Sequence, residues 1–379
     1  MAQVFRWLGV IALVAWLTGC GNDASPDKSS SDARVDQGEQ QVLHVYNWAD
    51  YVAPSTISAF EARTGIKVSY DVFDSADMLA TKLLTGGSGY DVVMPNGGTT
   101  YRLGQAGILL KLDKSRLKNL GNLDSQIIQI VAANDPGNEH AVPYLWGTTG
   151  IGYNPDLVEQ ALGTRTIDSL AAVFDPKIAA KLMKCGITML DSPVDMYAIA
   201  YFYLGLDPNS HRPEDVAAAE RALTAVRPYV RYYHSSRYVS DLATGEVCIS
   251  IGWSGAVQQA RIAGAQFENP VHVEYVIPKE GAPVWFDMVA IPADAPNVDN
   301  AYAFLDYLLE PKVIADITNT VGQANGNAAS LPFVRPELRD DPNVYPSPEV
   351  FERLTIDKAW EPALLSDIGR RWMRMQTGQ

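Results

Sequence analysis

From residue 42 onward the sequence alternates between strand-like and helix-like segments, and this alternation constrains the fold more than any other feature. The segment "VLHVY" predicts a strand, and "PSTISAFEARTG" predicts a helix that ends at Gly65. A strand, a helix and another strand follow in "IKVSYDVF", "SADMLATKLLTGG" and "YDVVMP". Repeated βαβ units of this length predict an α/β fold built on a mainly parallel sheet.

The pattern changes at 141–158, "AVPYLWGTTGIGYNPDLV", which is extended, rich in Gly and Thr, and typical of a crossing between domains. A second α/β set follows, and the alternating segment at 271–295 is predicted to return to the first domain. The chain is long enough for two ordinary domains. We therefore expect two lobes, the first formed by 42–142 plus about 265–325 and the second by 143–264 plus about 326–379.

The N-terminus has the pattern of an export signal. Arg6 precedes the apolar run "WLGVIALVAWL", which is too short to span a bilayer as a mature helix. The following "LTGC" resembles the lipobox of bacterial lipoproteins, so we expect residues 1–20 to be a signal peptide and Cys20 to be lipidated. The polar tract at 21–41 is then a flexible tether. A buried N-terminal helix is the alternative, but this tract offers almost nothing for it to pack against.

Composition and cysteine usage fit an exported soluble protein. The formal charge of −14 argues against nucleic acid as a partner and favours cationic ligands. No apolar span remains once the signal is removed. Besides Cys20, the chain has Cys185 and Cys248, both in apolar, strand-like runs. Export places them in an oxidising compartment, which favours a disulfide over a pair of free buried thiols.

Signatures of catalysis are scarce. The histidines are dispersed without metal-ligand spacing, and no phosphate-binding P-loop motif is present. The segment "GWSGA" around Ser254 approaches the G-x-S-x-G motif of hydrolases, but Ala256 replaces the last glycine and no histidine partner stands out. We therefore predict no catalytic residue, no metal and no cofactor, and retain an exported hydrolase using Ser254 only as a remote alternative.

Aromatic residues and carboxylates instead recur together at the ends of segments. The pattern comprises Trp48 with Asp50, Trp253, Trp285 with Asp287, and Asp191 with Asp195. Ligands of parallel sheets bind beyond the carboxyl ends of the strands, where Asp50 and Asn96 would lie. A carboxylate beside an aromatic face suits an alkylammonium ion, because the carboxylate accepts the N–H bonds while the ring contacts the cation. The alternative for each pair is an ordinary core aromatic beside a helix-capping Asp.

Most of the chain after residue 42 resembles, in order, the periplasmic polyamine-binding proteins of ABC importers, closest to those for putrescine and spermidine. The resemblance lies in "NWADYVAP", "FEARTGIKVSYDVFDS", "PYLWGTTGIGYN", "CGITMLDSP", "RPYVRYYHSS", "IGWSG", "IPKEGAPVWFDMVAIPADA" and "AYAFLDYLL". It implies a type II periplasmic-binding fold of two lobes that close by a hinge motion, and it supports a disulfide between Cys185 and Cys248.

The resemblance also implies a ligand site, carried over residue by residue. The matching positions are Trp48, Asp50, Tyr51, Asp195 (shortened from Glu), Trp253, Trp285 and Asp287. Three features depart from the putrescine-binding relatives: Ala256 replaces an Asp, Gln323 replaces a Tyr, and the loop "NGGTT", Asn96 to Thr100, lacks a serine ligand and leaves more space. Ala49 likewise replaces a serine.

These departures leave the far end of the ligand open. The half of the site with Asp50 and Asp287 is expected to take an amine, whereas the other half lacks its main anion. Asp195 and neutral groups would substitute, or the ligand is an ω-amino acid or an acylated polyamine whose far end could meet Arg102 or Arg261. Solvated surface positions are the simpler interpretation of those arginines.

We expect the chain to be the substrate-binding component of a polyamine importer and not an enzyme. Its expected partners are a small cationic amine and an ABC permease in the inner membrane, with no nucleic acid. We expect a monomer in the periplasm that contacts the membrane only through lipidated Cys20. A sensor that docks on a membrane receptor is an alternative, since it would need the same closing clamp.

Overall fold

The computed structural model describes residues 41–356, 358 and 360–378 of the 379-residue chain. The strands are β1 (Val42–Trp48), β2 (Lys67–Phe73), β3 (Val92–Val93), β4 (Ala141–Tyr153), β5 (Ile187–Met189), β6 (Val230–Tyr233), β7 (Ile249–Trp253), β8 (Glu274–Val276), β9 (Ala282–Ala290), β10 (Ala324–Asn325) and β11 (Leu354–Ile356). The α-helices are α1 (Pro54–Thr64), α2 (Ala76–Leu84), α3 (Gly97–Gln105), α4 (Ser125–Val131), α5 (Pro155–Leu162), α6 (Ala171–Phe174), α7 (Pro176–Leu182), α8 (Pro193–Leu204), α9 (Pro213–Val226), α10 (Arg237–Thr244), α11 (Ser254–Gly264), α12 (Val298–Leu308), α13 (Pro311–Val321), α14 (Pro336–Arg339), α15 (Pro348–Phe351) and α16 (Pro362–Thr377). The predicted signal peptide 1–20, the lipidation site Cys20 and all but the last residue of the tether 21–41 lie outside the described residues.

The first βαβ unit forms as the sequence predicts, for local reasons. Helix α1 begins at Pro54, whose fixed φ suits the first helical position, and it buries Phe60. It ends at Gly65, which has the left-handed φ of 76° that favours glycine and donates its N–H to the Glu61 carbonyl at 2.8 Å. The chain then enters β2, which pairs in parallel with β1 from Val42 to Trp48.

The strands are hydrogen-bonded in the order β2-β1-β3-β9-β4-β7-β5-β6, with β10 and β8 on β4 and β11 on β9. Strands that alternate with helices pair in parallel: β1 with β2 and β3, and β5 with β6 and β7. The crossing strands β4 and β9 pair antiparallel with each other. The predicted parallel pairing is therefore observed in the βαβ parts. The crossing strands β4 and β9 run in opposite directions and add antiparallel pairs.

Strand β4 links the two halves of the described fold. Its first part pairs with β9, and its last part, from Thr149 to Tyr153, pairs with β7. All its residues are buried, as expected for a strand covered on both faces. The segment predicted as a crossing is thus a long central strand that lies between β9 and β7 in the sheet order.

Apolar side chains pack on the two sides of this crossing. We call the clusters drawn from 43–146 and 284–344 the first core, and the cluster drawn from 151–273 and 360–375 the second core. Val334, Leu338 and Val344 pack in the first core, although the predicted boundaries assign 326–379 to the second lobe. Those lobe boundaries stay predictions, and we use the two cores to describe which groups meet across the crossing.

The predicted disulfide between Cys185 and Cys248 is confirmed, with Cα atoms 5.4 Å apart. Cys185 leads into β5 and Cys248 into β7, and these strands are parallel neighbours. The bond therefore joins the entry points of two adjacent strands in the second core.

Candidate functional site

The turn after β1 supplies the first group of side chains. Trp48, the last residue of β1, packs on Phe73 with ring centroids 4.5 Å apart and on Tyr51 at 6.4 Å. Asp50 has a left-handed φ of 56°, a conformation that Asp tolerates better than most residues, and it is exposed. The Tyr144 hydroxyl donates to the Tyr51 carbonyl, which fixes the end of the turn. The turn therefore presents Trp48 and Tyr51 inward and leaves Asp50 at the rim.

Asp287, on β9, is the buried anion of the site, with only 5% of its surface exposed. Its backbone pairs with that of Asn96 as an isolated bridge, which places it at the carboxyl end of β3. The Tyr51 hydroxyl donates to its carboxylate. Burial raises the pKa of Asp287 to about 7, and this hydrogen bond opposes the rise only in part. A carboxylate so poorly hydrated has a strong requirement for a cation.

Gln323 joins this group from the end of α13. It is 4% exposed, and its amide donates to the Tyr51 oxygen. The same amide lies directly over Gly255 in the first turn of α11, where a Cβ atom would come within 2.1 Å of Gln323 Nε2. Gly255 therefore has to lack a side chain. The contact joins a residue beside the first core to a helix of the second core.

Asp195 and Trp253 form a second group. Asp195 lies in the first turn of α8, where the positive end of the helix favours a carboxylate. It accepts hydrogen bonds from the Thr149 hydroxyl at 2.8 Å, the Ser192 hydroxyl at 2.6 Å and Trp253 Nε1 at 3.2 Å. Trp253 is the last residue of β7 and the N-cap of α11. Its indole is held in place by the hydrogen bond to the Asp195 carboxylate.

Trp285 lies between the two groups. Its Cα is paired with Gly147 in the β4–β9 register. A Cβ on Gly147 would come within 2.6 Å of the Trp285 ring and 2.5 Å of the Ser254 hydroxyl oxygen, so the glycine makes room for both. The Ser254 hydroxyl accepts from the Thr148 N–H at 3.2 Å. Trp285 and the start of α11 thus meet over the middle of β4.

The structure links most of the predicted site residues. Hydrogen bonds, ring contacts or close packing connect Trp48, Tyr51, Asp287 and Gln323 on one side and Asp195 with Trp253 on the other. Asn96 adjoins Asp287, but its side-chain oxygen accepts from the Thr99 N–H at 2.9 Å and caps α3. Its amide is therefore partly engaged in holding that helix.

Several other residues singled out from the sequence have structural roles elsewhere. Asp191 accepts hydrogen bonds from Trp372 Nε1 and Gln376 Nε2, both at 2.8 Å, and ties down α16. Arg261 forms an ion pair with Asp341 at 3.3 Å. Arg102 donates to the Thr99 hydroxyl at 3.2 Å and lies 3.8 Å from Asp77. Because both arginines already have partners in the protein, we assign neither of them to a ligand carboxylate.

Sequence reasoning missed the residues that support the site. Thr149 and Ser192 hold Asp195, while Gly147 and Gly255 make room for Trp285 and Gln323. The run "WGTTG" in the crossing strand was the available signal, since its small and hydroxyl-bearing residues are unusual in a buried strand. Among the described residues no cluster of three or more His, Cys, Asp or Glu is placed to hold a metal ion.

Comparison with known proteins places these features in context. Residues 55–346 match the sequence model of a family described as bacterial extracellular solute-binding protein. The putrescine-binding periplasmic protein SpuD of Pseudomonas aeruginosa is 46% identical over 342 residues, which cover 90% of this chain and 93% of that protein. The putrescine-binding periplasmic protein PotF of Escherichia coli is 45% identical over 343 residues, with the same coverage. The solved structure of the spermidine/putrescine ABC transporter substrate-binding protein PotD from Streptococcus pneumoniae is 25% identical and has a TM-score of 0.75, covering 89% of this chain and 99% of that one.

Proposed function

The chain belongs to the bacterial extracellular solute-binding protein family, and on that premise we propose that it captures a putrescine-type polyamine for an ABC importer. Its activity is binding and not catalysis, as the sequence predicts and the family confirms. The observation that carries the proposal is the buried Asp287 carboxylate, with its pKa raised to about 7, beside the phenol of Tyr51. An alkylammonium ion supplies the missing counter-charge.

One ammonium group of the ligand binds at Asp287. Its N–H groups donate to the carboxylate, beside the phenol of Tyr51. The indole rings of Trp48 and Trp285 line the methylene chain, where each cation–π or apolar contact contributes about 0.5–2 kcal/mol. Exposed Asp50 raises the local concentration of cations at the rim.

The second end of the ligand lies toward Asp195 and Trp253. Because these residues adjoin the second core, a ligand that spans both groups stabilises the closed arrangement of the two lobes. Closure around the ligand presents a defined surface to the membrane permease. The proposed ligand set is therefore Trp48, Asp50, Tyr51, Asn96, Asp195, Trp253, Trp285, Asp287 and Gln323.

We also propose that the protein acts in the periplasm as a lipid-anchored monomer, since the relatives are periplasmic and Cys20 follows a lipobox-like segment. None of the described helices is long and apolar enough to cross a membrane. Substitution Cys20→Ala is expected to move the protein from the membrane fraction to the soluble fraction of the cell envelope. Unchanged fractionation and no incorporation of labelled fatty acid into the wild type would reject the anchor.

The ligand assignment is tested by isothermal titration of the purified protein with putrescine, spermidine and 4-aminobutyrate. We expect putrescine or spermidine to bind, and Asp287→Asn to weaken that binding by at least about tenfold because a charge-assisted hydrogen bond is lost. Asp77→Asn removes a carboxylate that is 91% exposed and serves as the control. Tight binding that is unchanged in Asp287→Asn would reject the pocket, and binding of 4-aminobutyrate alone would reject a polyamine.

A further inference from the structure

The site contains polar atoms that a free diamine cannot satisfy. Within the described part of the chain, Trp48 Nε1, Trp285 Nε1 and Gln323 Oε1 are buried without a hydrogen-bond partner. Buried polar groups are normally paired, so these atoms await a ligand or water. A diammonium ion only donates hydrogen bonds and could satisfy Gln323 Oε1, but it offers no acceptor to either indole N–H. The unpaired set contains both donors and an acceptor.

The first turn of α11 makes the same part of the site unfavourable for a second cation. This turn carries Ser254, Gly255 and Ala256 and no acidic residue, and Trp253 caps it without a side-chain hydrogen bond. The N-terminus of an α-helix bears a partial positive charge and free N–H groups. Gln323 packs directly on this turn at Gly255, and Ser254 meets Trp285 over Gly147. The unpaired atoms therefore belong to Gln323, which packs on the helix start, and to Trp285, whose ring lies with the Ser254 hydroxyl over Gly147.

The remaining carboxylate of this half is largely engaged. Asp195 Oδ1 accepts from Thr149 and Trp253, and its Oδ2 accepts from Ser192. An ionised carboxylate has about four acceptor positions, so three of them are used by the protein. A second ammonium thus gains less at Asp195 than the first gains at Asp287, whose carboxylate accepts from Tyr51.

We propose that this half of the site takes a neutral group that both donates and accepts, so that a diamine acylated on one nitrogen is a ligand comparable with the free diamine. The inference rests on the proposed function, since the free ammonium still binds at Asp287. The secondary amide of such a ligand donates its N–H to Gln323 Oε1 and accepts from Trp285 Nε1 through its carbonyl. It also satisfies the positive end of α11 without a buried, unpaired charge.

The test is isothermal titration of the wild-type protein with putrescine, N-acetylputrescine and butylamine, which lacks a polar far end. We expect N-acetylputrescine to bind within about tenfold of putrescine or more tightly, and butylamine to bind more weakly than both. A larger deficit for N-acetylputrescine, with putrescine bound, overturns this inference and leaves the proposed function intact. Binding of neither diamine overturns both.

A variant pair tests the location. Ala256→Asp places a carboxylate in the first turn of α11, and Ala256→Asn provides the same shape without charge. The preference for putrescine over N-acetylputrescine should rise by about tenfold or more in Ala256→Asp relative to Ala256→Asn. An equal preference in the two variants, each with a wild-type melting profile, would show that the ligand's far end does not lie at this turn.

Discussion

Asp287 gives the most direct test of the site, because its burial has opposite consequences for stability and for binding. The carboxyl pKa is raised from 3.8 to about 7, a shift of about 3 units. Between these values the folded protein binds a proton that the unfolded chain has released. Stability of the arrangement that buries Asp287 without a ligand therefore falls as pH rises from about 4 to about 7, and at pH 8 the ionised group costs this arrangement up to about 4 kcal/mol. An opening that hydrates the carboxylate recovers part of this cost.

Asp287→Asn removes this charge while keeping the shape and an acceptor for the Tyr51 hydroxyl. We expect the ligand-free variant to be more stable than the wild type at pH 8, by up to about 4 kcal/mol, and by only about 1.6 kcal/mol at pH 5, which lies about 1.2 units above the unfolded-state pKa of 3.8. The assay is urea unfolding at both pH values, after refolding from denaturant to remove any co-purified ligand. Asp215→Asn is the control of opposite sign, since a hydrogen bond from Ser210 lowers the pKa of Asp215 and its loss should destabilise the protein. A variant less stable than the wild type at pH 8 would refute the reasoning.

The same group makes ligand affinity depend on pH. An ammonium ion binds the ionised carboxylate, so binding near pH 7 releases a proton from Asp287. Affinity for putrescine should therefore fall by about tenfold per pH unit below pH 7, while the ligand itself stays fully protonated. Titration in buffers of different ionisation enthalpy measures the released proton directly. A pH-independent affinity between pH 5 and 8 would contradict the raised pKa.

Two further predictions concern the surroundings of the site. Gly255→Ala forces Gln323 away from Tyr51, so putrescine affinity should fall by about tenfold, whereas Gly369→Ala, which has open space around it, should leave titration unchanged. Replacing Cys185 and Cys248 together by serine removes a covalent bond between residues 63 positions apart. Because this bond restricts the unfolded chain, its loss should lower the free energy of unfolding by about 4 kcal/mol. An unchanged denaturation midpoint in the double variant would contradict a stabilising role of the disulfide.

Local patterns were enough to predict much of the fold. The strand–helix alternation, Pro54 and Gly65 fix the first βαβ unit through backbone preferences that act within a few residues. The aromatic and acidic residues of the candidate site could also be predicted, because their residue types recur together at the ends of predicted segments. The antiparallel pairing of β4 with β9 could not be read in this way, because it depends on the relative direction of segments far apart in the chain.

The contacts within the site were less accessible to sequence reasoning. Nothing near Gln323 in the sequence indicates that its amide reaches Tyr51 and Gly255, and nothing near Asp191 indicates that it holds Trp372 instead of a ligand. These contacts join residues that are far apart in the sequence, so no local pattern predicts them. The residues that are expected to bind the far end of the ligand depend on such long-range contacts. Asp287 and its aromatic neighbours, in contrast, can be recognised as candidate ligand residues from their residue types alone.

The arrangement suggests how occupancy and closure are coupled. Burying Asp287 without a cation is unfavourable, so in the absence of ligand the closed arrangement is disfavoured relative to one that hydrates the carboxylate. An ammonium ion removes this penalty at Asp287, close to Tyr51 and to Gln323, whose amide contacts the first turn of α11. Because Gln323 approaches α11 from the side of the first core, the ligand acts on the contact that joins the two cores. Its differential affinity for the closed arrangement is then set largely by one carboxylate, and we expect Asp287→Asn to close without ligand more readily than the wild type. Small-angle scattering of the two ligand-free proteins at pH 8 measures this directly, and we expect a smaller radius of gyration for Asp287→Asn. If the two ligand-free radii are equal and only the wild type contracts with putrescine, Asp287 does not control closure in the absence of ligand.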